Sequence, residues 1–506
     1  MTRRLTHLLL GLAVASVLSA VAFAETLIIA QGTDAITLDP HDVTDSPTAT
    51  VTSHIYETLF ELQPDGSIVP HLAESYEVSE DSTTWTFTIR DGVTFHDGTP
   101  LTAEIVAGSL ERFIDPDNAF RFRFLLDRIE EVSVVGPMQV QVQLATPFAP
   151  LLAHLTHNTT AIVLPSAVEE FGEAFGENPV GTGPFAFESW DRGSRVNLVT
   201  NQDYWGDVPA IDGVSFLAVP ENTTRMALVE SGEAHVAVRV PPQDIMRLDA
   251  LDDVTVENVS SLRTIYIYFN HTLEPFTDPR VRQAFNYAVN KQDIADFVLG
   301  GAVRPSDAAI APGIFGYTDV GGYPYDPERA RELLAEAGYE DGFSFSVLTF
   351  TGDEYATVGQ LMQQMFADVG LEMRLNPTER GALVDAIFQP FESTELEASL
   401  VGNAVRTGDA DQALTVSYYS ESWPPAANNW SFYSNERVDE LIEAGRRTGD
   451  VEERRAIYAE AQEIIWNDAP WVYLVSPDNV AGVADELSGV FYMPDRSVDA
   501  RGASLD

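Results

Sequence analysis

The chain has 506 residues, of which 45% are hydrophobic and 10% aromatic, so it is a folded protein with more than one domain. Its 78 acidic residues against 29 basic ones give a formal charge of −49, which repels a phosphate backbone and argues against nucleic-acid binding. We interpret this acidity as a trait of a high-salt or GC-rich lineage, because a carboxylate-rich surface stays soluble where salt screens self-repulsion.

Residues 1–24 have the pattern of a cleavable secretory signal. Two adjacent arginines precede an apolar run from Leu8 to Ala22, and small residues at Ala22 and Ala24 match the positions that signal peptidase requires. The arginine pair leaves both the general and the twin-arginine export routes open. The sequence contains no cysteine, hence no disulfide and no lipid-anchor cysteine. We therefore expect a free periplasmic protein that begins near Glu25.

Two segments before residue 180 alternate apolar and polar side chains, which is the period of a half-buried strand. Threonines separate the apolar residues of the first segment, and glutamines separate those of the second. The predicted inward-facing residues are Trp85, Phe87 and Ile89, followed by Val140, Val142 and Leu144.

Three later segments carry apolar residues at helical spacing together with start and stop signals. An Asp-Pro pair opens the first two, and a capping-box-like pair opens the third. The predicted helices run from Asp278-Pro279 to Gly300-Gly301, from Asp326-Pro327 to Gly338, and from Asp450 with Glu453 to Pro470.

The sequence contains no catalytic or phosphate-binding motif of the common classes. His154 and His157 are three residues apart with no carboxylate close in sequence, so we interpret them as packing or surface histidines and expect no metal site. The glycine-rich segment 181–184 ends in Pro184, which lacks the N–H that a phosphate loop requires, and this favours a turn between strands. An exported chain without a catalytic set points to ligand binding, without a cofactor.

Several motifs, in this order, resemble the extracytoplasmic solute-binding proteins of ABC importers, in the family that takes up dipeptides, oligopeptides, nickel chelates and glutathione. They are LDP at 38–40, IYETL at 55–59, PHLAES at 70–75, TFTIRDGVTFHDGTPLTAE at 86–104, NPVGTGPF at 178–185 and PFTDPRVRQAFNYAVNK at 275–291. Three further segments resemble the glutathione-binding branch of this family. They are TGDAD at 407–411, ESWPPAANNWSFYSNERVDELIEAG at 421–445 and RRAIYAEAQEIIWNDAPWVYLV at 454–475.

The resemblance implies an α/β, periplasmic-binding-protein-like fold of the type II cluster C kind, with two lobes, a hinge and an extra inserted domain. It implies that the ligand cleft lies between domains I and III. The expected boundaries are 1–24 for the signal, 25–62, 182–268 and 487–506 for domain I, 63–181 for domain II, and 269–486 for domain III.

The resemblance also implies where a peptide would bind. An acid in the segment 407–411 would hold the ligand's ammonium, whose burial without a carboxylate or several acceptors is costly. A ligand carboxylate calls for arginine, which presents a bidentate fork. The expected ligand contacts are Asp409, slightly favoured over Asp411, then Arg380, Arg406, Arg121, Arg123 and Asn403.

Related sequences carry aromatic residues at or near Asn403 and Gln412, so the pocket of this chain is expected to be more polar. The leading hypothesis is a monomeric, non-enzymatic receptor that delivers a short or glutathione-like peptide to an ABC permease. The alternatives are a nickel-chelate or haem carrier of the same fold and a secreted hydrolase that uses paired carboxylates.

Overall fold

The computed structural model describes residues 25–63, 65–298, 301–351 and 354–505. The predicted secretory signal lies outside these ranges. Within them, no helix combines the length and the apolar character needed to cross a bilayer.

The elements alternate between strands and helices along the chain. The strands are β1 (Thr26–Gln31), β2 (Phe60–Leu62), β3 (Ile68–Pro70), β4 (Ala73–Val78), β5 (Thr84–Ile89), β6 (Ile129–Gly136), β7 (Gln139–Leu144), β8 (Phe185–Asp191), β9 (Arg195–Thr200), β10 (Gly213–Ala218), β11 (Val236–Val238), β12 (Val254–Ser260), β13 (Arg263–Phe269), β14 (Val303–Pro305), β15 (Ser344–Phe350), β16 (Glu372–Thr378), β17 (Ala398–Ala404), β18 (Trp471–Ala484), β19 (Leu487–Ser488), β20 (Phe491–Tyr492), β21 (Val498–Asp499) and β22 (Ser504–Leu505). The helices are α1 (Ser46–Ile55), α2 (Ala103–Ile114), α3 (Leu151–His154), α4 (Pro165–Phe171), α5 (Asn222–Glu230), α6 (Pro242–Leu248), α7 (Pro279–Ala288), α8 (Lys291–Asp293), α9 (Pro327–Glu336), α10 (Glu354–Ala367), α11 (Arg380–Ile387), α12 (Ala410–Tyr418), α13 (Glu436–Arg447) and α14 (Val451–Asp468).

A long strand, β18, joins the two main lobes. Its first half pairs with β13 and β14, and its second half pairs with β11 and β12. We call β1, β8–β12 and the second half of β18 the first lobe. The second lobe comprises β13–β17, the first half of β18 and helices α7–α14. The twelve-stranded sheet runs β16-β15-β17-β13-β18-β11-β1-β10-β9-β8, and β12 and β14 each pair with β18 off this path.

A separate antiparallel sheet, in the order β4-β5-β7-β6, forms a small lobe with α2 packed against β6 and β7. In β5 and β7 the apolar residues predicted to face inward are all buried, and Phe87 pairs with Val140 across the two strands. The alternating pattern is thus confirmed. The small lobe shares its apolar core with the first lobe, whereas the second lobe has its own cores.

The three predicted helices are present as α7, α9 and α14, and the side chains of Asp278, Asp326 and Asp450 cap them. The predicted end of the first helix is wrong. Helix α7 stops at Ala288 because Val289 adopts an extended conformation, and α8 and a π-helical turn follow. Residue 300, part of the predicted stop, lies outside the described residues.

Sheet pairing also bears on the domain boundaries. β13 begins at Arg263 and pairs within the second lobe, while β18 enters the first lobe near Asp478. We therefore propose that the main lobes divide near residues 262 and 478, in place of the expected 268 and 486.

The glycine-rich segment 181–184 is a tight crossing against the end of α1. A Cβ on Gly181 would lie 1.9 Å from the carbonyl oxygen of Ile55, and one on Gly183 would lie 2.4 Å from that of His54. Only glycine permits this approach. Between them, Thr182 donates to the Glu57 carboxylate at 2.7 Å. Segment 181–184 therefore forms a structural turn, as the sequence predicts.

The only lysine of the sequence, Lys291, is buried in the second lobe. Its Nζ donates to the carbonyl oxygen of Ser306 at 2.9 Å and lies 5.1 Å from the ring centroid of Trp466. Burial lowers the pKa of Lys291 to about 7, although the Asp307 carboxylate opposes the shift.

Candidate functional site

Two cavities lie where the lobes meet, on either side of the C-terminal turn 493–497. Cavity A, of about 130 Å³, is lined by α1, the segment 156–161, Arg406 and this turn. Cavity B, of about 520 Å³, is lined by residues of the first lobe, the β18 crossing and the second lobe. The volume of cavity B falls within the range typical of small-molecule sites.

Cavity B has apolar walls and charged groups of both signs. Arg239 and Arg496 contribute from the first lobe, Arg263 contributes from β13, and Asp478 contributes from the β18 crossing. Arg496 also donates to Asn479 at 3.3 Å. The cavity thus brings three cations and one anion together between the lobes of a chain whose net charge is −49.

In cavity A, Arg406 differs from the other charged groups. Asp499 and Glu61 are both paired with Arg501, and Glu57 accepts hydrogen bonds from its neighbours. The guanidinium of Arg406, by contrast, has no hydrogen bond or ion pair within the described part of the chain. Burial lowers the pKa of Arg406 from its ordinary value, because the more distant Asp495 and Asp45 only partly offset the lost hydration.

The loop that carries Arg406 is fixed by Gln412. The Gln412 side-chain oxygen accepts from the backbone N–H of Arg406 at 2.9 Å and of Thr407 at 3.1 Å. Gly408 turns the chain with a φ of 66°, and Asp409 then caps α12. Gln412 therefore orders the loop that presents the arginine.

Asp409 and Asp411 are buried behind this loop and are both paired with arginines. Arg454 binds both oxygens of Asp409, at 2.9 and 3.0 Å, and Arg446 binds Asp411 at 2.7 Å. Burial raises the pKa of Asp409 even though Arg454 opposes it. For Asp411, burial acts in the same direction, but Arg446 and His154 outweigh it and lower the pKa well below its ordinary range.

Contacts between the small lobe and the second lobe surround Asp411. His154 Nε2 lies 3.4 Å from Asp411 Oδ2, and the backbone N–H of Ala149 donates to the carbonyl oxygen of Arg446 at 2.7 Å. Arg128 lies 3.4 Å from Glu443. The described structure thus holds these two lobes together beside the Arg406 loop.

His157, which lines cavity A, is neutral. The backbone N–H of Thr159 donates to its Nδ1 at 3.2 Å. Burial lowers its pKa well below the ordinary value, and the positive charge of Arg406 acts in the same direction. The histidine therefore leaves Arg406 as the charged donor of that wall.

The other expected ligand contacts lie away from both cavities. Arg380 is exposed at the start of α11, 5.6 Å from the ring of Phe350. Asn403 donates to Ser417 at 3.1 Å and lines a separate small cavity inside the second lobe.

The two expected arginines of the small lobe also lie outside the cavities. The guanidinium of Arg121 lies 5.4 Å from the ring of Phe388, so this side chain bridges the small and second lobes. Arg123 donates to the carbonyl oxygen of Ile114 at 3.4 Å.

Sequence reasoning missed Arg239, Arg496 and Asp478. Each lines cavity B, but Arg239 is more than 200 residues from the other two, and none belongs to a motif identified from the sequence. The local signal available in the sequence is that Arg239 directly follows the buried strand β11. The strand itself does not require a charged residue at this position.

A bilobal α/β structure joined by a crossing strand, with cavities at the lobe boundary, is the architecture of a solute-binding protein. Residues 67–439 match the family description "Bacterial extracellular solute-binding proteins, family 5 Middle", and the chain belongs to this family. It is 35% identical to the glutathione-binding protein GsiB of Salmonella typhi, over all of both chains.

Solved structures agree with this assignment. The periplasmic binding protein DppA from Helicobacter pylori, in complex with the peptide STSA, superimposes with a TM-score of 0.83 at 27% identity, covering 95% of this chain and 98% of that one. MoaA from A. tumefacien R10, in complex with mannopinic acid, gives 0.82 at 29% identity, covering 96% and 100%.

Proposed function

We propose that the protein is the substrate-binding component of an ABC importer and that it captures a short or glutathione-like peptide in the periplasm. The proposal is carried by one observation: Arg406 faces a cavity between the lobes of an acidic chain without a carboxylate partner among the described residues. The likeness to glutathione-binding and peptide-binding relatives supports the same substrate class.

Arg406 is the proposed partner of a ligand carboxylate. A half-buried guanidinium has lost part of its hydration, and a bidentate carboxylate replaces it with charge-assisted hydrogen bonds. The enclosed volume of cavity A, about 130 Å³, is below the range of whole-ligand sites, so the bound peptide would extend toward cavity B or the lobes would separate.

Asp409 and Asp411 have a different role in this proposal. Their carboxylates already have arginine partners, and removing one partner of a buried pair leaves an uncompensated charge. We propose that they position the Arg406 loop and that the ligand ammonium binds an acid without such a partner. The receptor acts as a monomer, returns its ligand unchanged and presents the closed form to the permease.

The first test is to denature the purified protein and identify the released small molecule by mass spectrometry. We expect an intact peptide or glutathione-like molecule. A metal chelate or porphyrin would favour the carrier alternative, and cleaved products would favour the hydrolase alternative.

The second test measures peptide affinity by titration calorimetry for Arg406→Gln. Losing a charge-assisted contact weakens binding by roughly ten- to a hundredfold. The matched control is Arg374→Gln, an exposed position on β16 away from both cavities, which should bind like the wild type. Equal affinity for the Arg406 variant and the control would remove the assignment.

A further inference from the structure

Arg239 has an unusual backbone conformation. Its φ of 59° lies in the left-handed region, which side chains with a Cβ rarely adopt. Glycine would remove the steric conflict, but the sequence has arginine at this position. Such outliers persist only where neighbouring contacts enforce them, and they concentrate at functional sites.

The buried side chain of Arg225 enforces this conformation. Its Nε donates to the carbonyl oxygen of Val238 at 2.9 Å, and its Nη1 donates to that of Val219 at 2.8 Å. Its Nη2 donates to the Asn222 side chain at 2.7 Å and to the carbonyl oxygen of Arg239 at 3.2 Å. A fully buried arginine thus holds the turn after β11 in place.

The side chain of Arg239 lines cavity B and is exposed to solvent. Within the described ranges, its guanidinium has no hydrogen bond and no ion pair, and the Arg225 cation lies close enough to interact with it. The strained turn therefore presents to the interlobe cavity a guanidinium that has no ion-pair partner among the described residues.

Asp478 contributes the opposite charge to the same cavity. The N–H of Val240 donates to the carbonyl oxygen of Val480 at 3.0 Å, and Val238 pairs with Ala481, so Arg239 and Asp478 lie on neighbouring segments. The backbone N–H of Asp478 donates to Ala302 at 3.0 Å. Its half-buried carboxylate has no partner among the residues that the structure describes.

We propose that Arg239 and Asp478 form a clamp for an amino-acid end, in which an ammonium and a carboxylate share one carbon. This inference rests on the proposed function and narrows its substrate class. In an ordinary α-peptide the first residue has lost its α-carboxylate to the peptide bond. A residue joined through its side-chain carboxylate keeps both groups, so the clamp selects γ-linked peptides, with Arg406 available for the distal carboxylate.

The decisive comparison uses two isomers of equal charge, γ-Glu-Cys-Gly and α-Glu-Cys-Gly, titrated into the wild type. We expect the γ-isomer to bind at least roughly tenfold more tightly, because only it offers both charges on one carbon. Arg239→Gln and Asp478→Asn should each abolish this preference, whereas the exposed control Arg374→Gln should keep it.

The Arg239→Gly variant distinguishes an effect on ligand preference from an effect on the stability of the fold. Glycine accepts the left-handed backbone, so the melting temperature should not fall, while the γ-isomer preference should disappear with the guanidinium. Preference retained in Arg239→Gly or Arg239→Gln, or equal binding of both isomers by the wild type, overturns the clamp and leaves the proposed function intact. If no peptide binds the wild type, the proposed function fails and the clamp fails with it.

Discussion

Glu57 is a buried carboxylate at the wall of cavity A whose replacement should strongly reduce stability. It accepts hydrogen bonds from His71 Nε2 at 2.9 Å, Thr182 Oγ1 at 2.7 Å, the Tyr204 hydroxyl at 2.6 Å and Trp205 Nε1 at 2.9 Å. In Glu57→Gln the amide keeps one accepting oxygen and turns an NH₂ toward donors. Leaving two of these buried or half-buried donors without an acceptor costs about 3–5 kcal/mol of unfolding free energy.

The pKa of Glu57 supports the same reasoning. Burial raises it, but the hydrogen bonds and charge from His71 and the bonds from Trp205 and Tyr204 lower it below the ordinary 4.5. A folded-state pKa below the unfolded value means that the stabilisation is present above about pH 4.5 and is lost as the pH falls through the folded value. The difference between wild type and Glu57→Gln should therefore shrink in acid.

The assay is urea unfolding followed by circular dichroism at pH 7 and again near pH 4. Glu188→Gln, an exposed position on β8, is the matched control and should lie within about 0.5 kcal/mol of the wild type. Thr182→Val removes one donor and should cost about 1 kcal/mol. A Glu57→Gln variant within about 1 kcal/mol of the wild type at pH 7 would refute the claim that a charged, four-bonded carboxylate is at this position.

Two further predictions concern pH. The pKa of Lys291 is about 7 when folded and 10.5 when unfolded, so the unfolded chain holds the proton between those values and stability should rise with pH across that window. Lys291→Met should remove this slope and stabilise the protein at pH 6 by roughly 3–5 kcal/mol, and an unchanged urea midpoint would contradict it. Burial lowers the pKa of His41 from 6.5 to about 4, with the Arg112 charge adding to the shift and Asp39 opposing it, and burial likewise lowers those of His54 and His96. The stabilisation that these neutral histidines contribute should be fully present above pH 6.5 and should fall toward pH 4, with His41 alone accounting for about 3 kcal/mol. A urea midpoint that stays constant from pH 7.5 to 4.5 would exclude this cause.

Helix starts and half-buried strands were predicted correctly, because each is set by residues that are close together in the sequence. Asp278 and Asp450 cap helices where the sequence places them, and the alternation around Phe87 marks a strand. The end of α7 was mispredicted because the backbone changes conformation at Val289 without a glycine or proline, and Asn290 then caps α8.

The candidate site was only partly predictable for a similar reason. Arg406 could be located because it adjoins a motif. Arg239 and Asp478 approach each other only through the pairing of β11 with β18, which joins segments more than 200 residues apart in the chain and has no sequence signature. Asp409 was recognised by its motif, but its partner Arg454 is 45 residues away, and that pairing has no signal in the sequence.

The burial of the single lysine has a practical consequence for handling this protein. Reagents that acylate primary amines require an accessible, unprotonated nitrogen, and Lys291 is only 6% exposed in the folded chain. The backbone amino terminus is then the readily acylated position. A dye or a sensor surface coupled through amine chemistry would therefore be attached to every molecule at that same site. Lobe motions could be followed on such a uniformly oriented layer without engineering the sequence.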